Sequence, residues 1–428
     1  MIAVSSASFD ASFGRISRLC SDGQLREALQ LLHQMDQKGI SISRDIFYHL
    51  LQVCAKKRDL SIARQLQSYR IARDLRSVTV LGDHLIRIFV SCGNLHEANK
   101  VFMTVPKPSV YTWNSIISAH ITFEEYKRAI ELHKQMQHSL TRPNEVTFLY
   151  VLKAYSCLNL TEQGMLLHNE ITELGLDHDV TIASTLIDMY VKCGIFVKAQ
   201  ELFDNLQIRD IISWTTLITG YAEQDQPEEA LHYFEQMRSE GFSATAATFV
   251  CTLKACGNIG AAVKGQKLHG DIMRKGLEMN LIVGSTLVDM YAKCGLLPIA
   301  QQVFDKLSIQ DVISWNSLIA GYVQLGQSNT VFTLFDRMRR EGKRPDVITF
   351  TSVLSVCSQV GLVNQGLTYF EIMSKEYGIL PTFQHHGCMV DLLGRVGELH
   401  NAIVIMERMP TRPNVVLLRT VLTSCQKW

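Results

Sequence analysis

The stretches DMYVKCG at 188–194 and DMYAKCG at 289–295 set a carboxylate four residues ahead of an ammonium, Asp188 with Lys192 and Asp289 with Lys293. On a helix, that spacing puts both charges on one face, where an exposed pair contributes roughly 0.3–0.5 kcal/mol. Other residue types able to do chemistry are present but not grouped. The eleven cysteines include no CxxC pair, which excludes zinc ribbons and thioredoxin-like sites and suits reduced thiols in a core. His385 and His386 have no Cys or carboxylate at ligand spacing, so neither a metal nor another cofactor is expected. The sequence contains no Gly-rich phosphate loop, GxSxG, HExxH or zinc-deaminase signature, and it is read as having no catalytic residues. Lys and Arg number 42 against 41 Asp and Glu, so bulk charge draws the chain to no anionic partner. No apolar run approaches the roughly 18–20 residues that span a bilayer, and neither a membrane nor a small-molecule substrate is expected.

The two stretches belong to a longer register that must position them. Trp113, Trp214 and Trp315 are 101 residues apart, as are Cys92, Cys193 and Cys294. Within one period, Trp315, Leu318, Ile319 and Tyr322 fall at i, i+3, i+4 and i+7, and Val331, Leu334, Phe335 and Met338 repeat the spacing after Gly326. Two amphipathic helices in 35 residues, ended by Gly342 and Pro345, make one helical hairpin. The neighbouring hairpins at 246–280 and 281–311 have 35 and 31 residues, which accounts for the period.

Tiling outward gives units at 9–43, 44–78, 79–109, 110–144, 145–179, 180–210, 211–245, 246–280, 281–311, 312–346, 347–382 and 383–414. Residues 1–8 form a leader with no clear transit peptide, and 415–428 open a further first helix that stops early. Its Val416, Leu417 and Val421 would be partly uncovered, which suggests truncation at the start of a C-terminal extension. One hairpin cannot bury both of its stripes alone, whereas stacked hairpins bury them against each other. The predicted fold is therefore all-α, an α-solenoid of about twelve hairpins in a right-handed superhelix. The tryptophans lie within the apolar stripes and are read as core.

Units of 35, 35 and 31 residues carrying WNSLIAGYVQLGQ…LFDRMRREGKRPD, TFVCTLKACGNIG…GQKLHGDIMRKG and STLVDMYAKCGLLPIAQQVFDKL resemble pentatricopeptide repeat proteins of the plant PLS subclass, whose P, L and S repeats recur in that order. The resemblance covers nearly the whole chain. Tetratricopeptide repeats, with a 34-residue period, fit less well. The resemblance implies a sequence-specific single-stranded RNA-binding protein of the mitochondrion or chloroplast. It would target organellar RNA processing, above all C-to-U editing, with a deaminase or other editing factor supplied in trans. The alternative is a helical protein–protein scaffold without RNA readout.

By the same resemblance, the fifth and last residues of each P and S unit face a base edge, and the second packs on the base face. The array's N-terminus faces the RNA 5′ end. The P units then give Asn114 with Asn144, Thr215 with Thr245 and Asn316 with Asp346, and the S units give Ser184 with Asp210 and Ser285 with Asp311. Asn316/Asp346 implies uracil, the two Ser/Asp pairs guanine, and Asn114/Asn144 a pyrimidine. Thr215/Thr245 departs from the family's usual ending, as does Asp83 with Ser109. Ile212, Ile282 and Ile313 would sandwich bases. Lys192 and Lys293, on the face that carries Ser184 and Ser285, would either face the RNA backbone or stay in surface ion pairs with Asp188 and Asp289. Phe13 makes the first unit a cap. Leu149 and Val250, at the fifth position of L units, cannot read an edge by hydrogen bonding. Arg339, Arg340, Lys343 and Arg344 are read as a solvated basic loop.

Overall fold

The computed structural model describes residues 14–16, 18, 19, 22, 24–37, 44–72, 79–407, 409 and 419. The leader, Phe13 and the segment 420–428 with Val421 lie outside these, as do Val416 and Leu417. Among the described residues every element is a helix, from Leu25–Gln37 to Leu399–Glu407. We call the first helix of a hairpin A and the second B. The A helices begin at Arg44, Thr79, Val110, Glu145, Val180, Ile211, Ala246, Leu281, Val312, Val347 and Phe383. Contacts divide the chain into two compact units, Met1–Ser213 and Trp214–Trp428. Within each, an A helix packs on its own B helix and on the next A helix, which is the stacking of an all-α solenoid.

Local sequence sets each boundary. Asn144, Asp311 and Asp346 stand immediately before A helices, and their side chains accept from the backbone N–H three residues on, at Thr147, Ser314 and Thr349. In the DMYxKCG stretches Gly194 and Gly295 take φ 74°, a left-handed turn that closes the helix and that only glycine adopts cheaply. The 31-residue hairpins are short because of their B helices. Phe196–Asn205 and Leu297–Lys306 have 10 residues, where Pro227–Ser239 and Ala262–Arg274 have 13.

The predicted stripes form the core. Trp315 is fully buried with its edge against Phe304 at 4.6 Å, and Trp113 meets Phe102 in the same way at 4.9 Å. Met189 and Tyr190, with Leu186, are buried, as are Met290 and Tyr291, while Cys193 and Cys294 are half-buried. The nine described cysteines are free thiols.

Candidate nucleic-acid interface

The fifth residue of an A helix is held by the residue that caps the following A helix. Asn316 Nδ2 donates to both carboxylate oxygens of Asp346, at 3.0 and 3.1 Å. Asn114 Nδ2 donates to Asn144 Oδ1 at 2.9 Å. Ser285 Oγ donates to Asp311 Oδ1 at 2.9 Å. Three of the six pairs read from the sequence thus touch directly. Ser184 does not join Asp210: its Oγ turns back to Val180 O at 2.7 Å, and Asp210 Oδ1 accepts from Ser213 N. Thr215 and Thr245 meet through a third hydroxyl, Thr248 Oγ1, at 3.0 and 2.9 Å.

That third hydroxyl recurs, and the sequence reading missed it. Thr349 Oγ1 donates to Asn316 Oδ1 at 2.6 Å, and Thr147 Oγ1 to Asn114 Oδ1 at 2.7 Å, both from fully buried threonines. Each also lies within 3.0 Å of the capping side chain, Asp346 or Asn144. Where the slot holds Ser, as at Ser213 and Ser314, the hydroxyl donates to the backbone O of Asp210 or Asp311 instead. The legible signal was the capping spacing N-x-x-T, D-x-x-T and D-x-x-S.

Counting used and unused groups gives the chemistry left for a ligand. Asn316 keeps one N–H and one lone pair on Oδ1, and Asp346 Oδ2 remains an acceptor. Asn114 with Asn144 likewise keeps donors and acceptors together. Ser285 has spent its proton on Asp311, so that pair offers only acceptors. Ser184 and Asp210, although separate, also present acceptors.

Asp83, at the fifth position of 79–109, is buried, and its Oδ1 has no hydrogen-bond partner. Burial pushes its carboxyl up, against a hydrogen bond from Thr112 and the nearby charge of Arg87. Ser109 caps the next helix, with Oγ 3.0 Å from Thr112 Oγ1.

The second residues of these helices stand out into solvent. Ile212, Ile282 and Ile313 are 62%, 65% and 65% exposed, each three residues ahead of a fifth residue, Thr215, Ser285 or Asn316. Lys192 and Lys293 are partly exposed and close on Asp188 and Asp289 at 2.8 Å. Asp289 also accepts from Ser317 Oγ at 3.1 Å, and Lys293 lies 3.4 Å from Asn258 Oδ1. Leu149 and Val250 are half-buried. The basic cluster is more tied down than a solvated loop. Arg339 and Arg340 belong to the helix Ser328–Arg340, Arg339 pairs with Glu376 at 3.2 Å, and Arg344 donates to Tyr377 O. His385 and His386 are buried and hydrogen-bonded within the protein. Among the described residues no His, Cys, Asp and Glu group could hold a metal, and no helix could cross a membrane.

Capped helical hairpins of this length, stacked with paired fifth and last side chains, define a pentatricopeptide-type helical repeat. The chain matches the PPR repeat family at residues 108–157, 209–258 and 310–382, and the PPR repeat at 15–40 and 182–211. It belongs to the pentatricopeptide repeat family. The chloroplastic pentatricopeptide repeat-containing protein CRR2 of Arabidopsis thaliana is 34% identical over 96% of the chain and 63% of its own length. A mitochondrial member of the same species is 33% identical over 96% of the chain and 64% of that protein. Another, chloroplastic, member is 34% identical over 95% of the chain, which spans only 50% of it. Among solved structures, PPR10 from maize superposes with a TM-score of 0.67 at 18% identity, over 97% of this chain and 66% of that one. Its complex with an 18-nt psaJ RNA element gives 0.64 at 19% identity, over 97% and 71%.

Proposed function

We propose that the chain is a sequence-specific single-stranded RNA-binding array that targets RNA processing in a mitochondrion or chloroplast, above all C-to-U editing. It contributes no catalytic groups of its own, and a deaminase or other editing factor acts in trans. The observation that carries this reading is the Asn316–Asp346 pair, held by Thr349 beside exposed Ile313. A solvent-facing apolar platform next to a fixed donor–acceptor set is what a base, with its π-face and polar edge, requires. The likeness to PPR10, solved with RNA, supports the same reading, as do relatives named chloroplastic or mitochondrial.

The unused groups give the base assignments. Asp346 Oδ2 accepts the ring N–H of uracil while Asn316 answers its carbonyl. The acceptor-only pairs Ser285/Asp311 and Ser184/Asp210 suit guanine, whose edge offers two donors. Asn114/Asn144 takes a pyrimidine. We assign 9–43, 110–144, 211–245 and 312–346 as P, 44–78, 145–179, 246–280 and 347–382 as L, and 79–109, 180–210, 281–311 and 383–414 as S. Lys192 and Lys293 release their aspartates to meet phosphates.

Selection of the full chain against randomised single-stranded RNA is the test. The expected winner carries guanine directly followed by uracil, with a pyrimidine–any–guanine element on its 5′ side. Asn316→Thr should turn the uracil preference toward guanine, because Asp346 remains. A pool that emerges random would favour a protein-binding scaffold instead.

A further inference from the structure

The unit 347–382 has the place of an L unit, yet its side chains do not resemble those of its counterparts 145–179 and 246–280. In 145–179 and 246–280 the fifth residues are Leu149 and Val250, and the third residues of the following A helices are Ile182 and Val283. Both slots are apolar, so the last residues, Asp179 and Asn280, which accept backbone N–H groups of the next helix, have no polar side chain to bridge them to the fifth. In 347–382 the fifth residue is Thr351, the last is Thr382, and the third residue of the next A helix is His385.

These three form the constellation found at Asn316, Asp346 and Thr349, with an imidazole in place of the bridging hydroxyl. His385 Nδ1 accepts from Thr382 N at 3.0 Å and lies 2.9 Å from Thr382 Oγ1. The ring proton therefore sits on Nε2, which is 2.9 Å from Val347 O and 3.1 Å from Thr351 Oγ1. Thr351 Oγ1 spends its own proton on Val347 O at 2.8 Å, so it keeps acceptor capacity. His385 is fully buried, while both threonines are half-buried and reachable. Ile348, the second residue, is 58% exposed, close to the 65% of Ile313 one unit earlier. Platform, fifth residue, last residue and bridge are thus all present.

We propose that 347–382 is a further base-reading unit, in which Thr351 and Thr382, positioned by His385, select a purine on the 3′ side of the base read by Asn316 and Asp346. Two short hydroxyls leave room for the larger ring, and the acceptor on Thr351 Oγ1 suits an exocyclic amine. The inference rests on the base-reading function proposed above.

The test is the same selection from randomised single-stranded RNA, run on the wild-type chain and on Thr351→Val, which keeps the side-chain shape and removes the hydroxyl. The wild type should favour a purine directly after the selected uracil by about threefold to tenfold, the worth of one net hydrogen bond. Thr351→Val should lose that preference and still select the uracil, which also reports that the neighbouring unit is folded. Selection of uracil followed by a random nucleotide in the wild type would overturn the inference alone. So would a purine preference unchanged in Thr351→Val, or equally lost in Asn316→Thr. A pool with no selected position at all would remove the base-reading function, and this unit with it.

Discussion

Thr147 and Thr349 each make two kinds of contact at once, and this couples the proposed base reading to folding at the scale of a single residue. The hydroxyl that caps an A helix also holds the amide of Asn114 or Asn316 in one orientation. Thr349→Val should therefore cost stability, by about 1 kcal/mol for a lost cap, and broaden uracil selection as well. A melting curve read alongside the RNA selection checks both. His133 shows the opposite economy. It is buried with Nε2 unpartnered, and burial, with Lys134 adding to it, pushes its imidazole down to about 4 from 6.5. A folded-state value below the unfolded one means that the unfolded chain binds more protons between these limits. The contribution is then complete above pH 6.5 and lost as pH falls through 4, to the extent of about 3 kcal/mol. Acid titration of unfolding should show that slope, and His133→Leu should flatten it.

At the scale of an element, hairpin ends are set by backbone conformation, and two glycines make the point by contrast. Gly295 holds φ 74° in open space, so Gly295→Ala should destabilise by about 1–2 kcal/mol through left-handed strain alone. Gly270 lies inside the helix Ala262–Arg274 with nothing near a new Cβ, so Gly270→Ala should stabilise by about 0.5–1 kcal/mol. Chemical denaturation of the two variants, with opposite shifts of midpoint, is the check. The helices were readable because Trp315, Leu318 and Ile319 keep a 3.6-residue period that burial enforces. Tying Arg339 to Glu376 and Arg344 to Tyr377 was not readable, because those partners lie more than 30 residues away and follow no period.

For the whole molecule, charge is nearly balanced, and lysines that could meet phosphates are engaged with aspartates. Affinity for RNA should then come more from bases than from phosphates. Its logarithm should fall only gently with the logarithm of salt, and Lys192→Met with Lys293→Met should reduce that slope by about 1.4, or about 0.7 for each lost phosphate contact. Binding isotherms at several salt concentrations measure this.

The sequence alone determined the helical hairpins, their period of 101, the burial of Trp113, Trp214 and Trp315, and the positions of the candidate reading residues. The hairpins, the period and the buried tryptophans follow from periodicity and caps, which are local, and the candidate reading positions follow from the resemblance of the units to a known repeat family. Only the tertiary structure decided which candidate reading residues touch. Ser285 reaches Asp311 while Ser184 turns away from Asp210, although the two units carry the same residue types at those positions. It also revealed the Thr bridges at Asn114/Asn144, Thr215/Thr245 and Asn316/Asp346 and the His bridge at Thr351/Thr382. A hydrogen bond between residues some 30 apart depends on side-chain rotation and helix stacking to within a few tenths of an ångström, and spacing along a chain does not encode that.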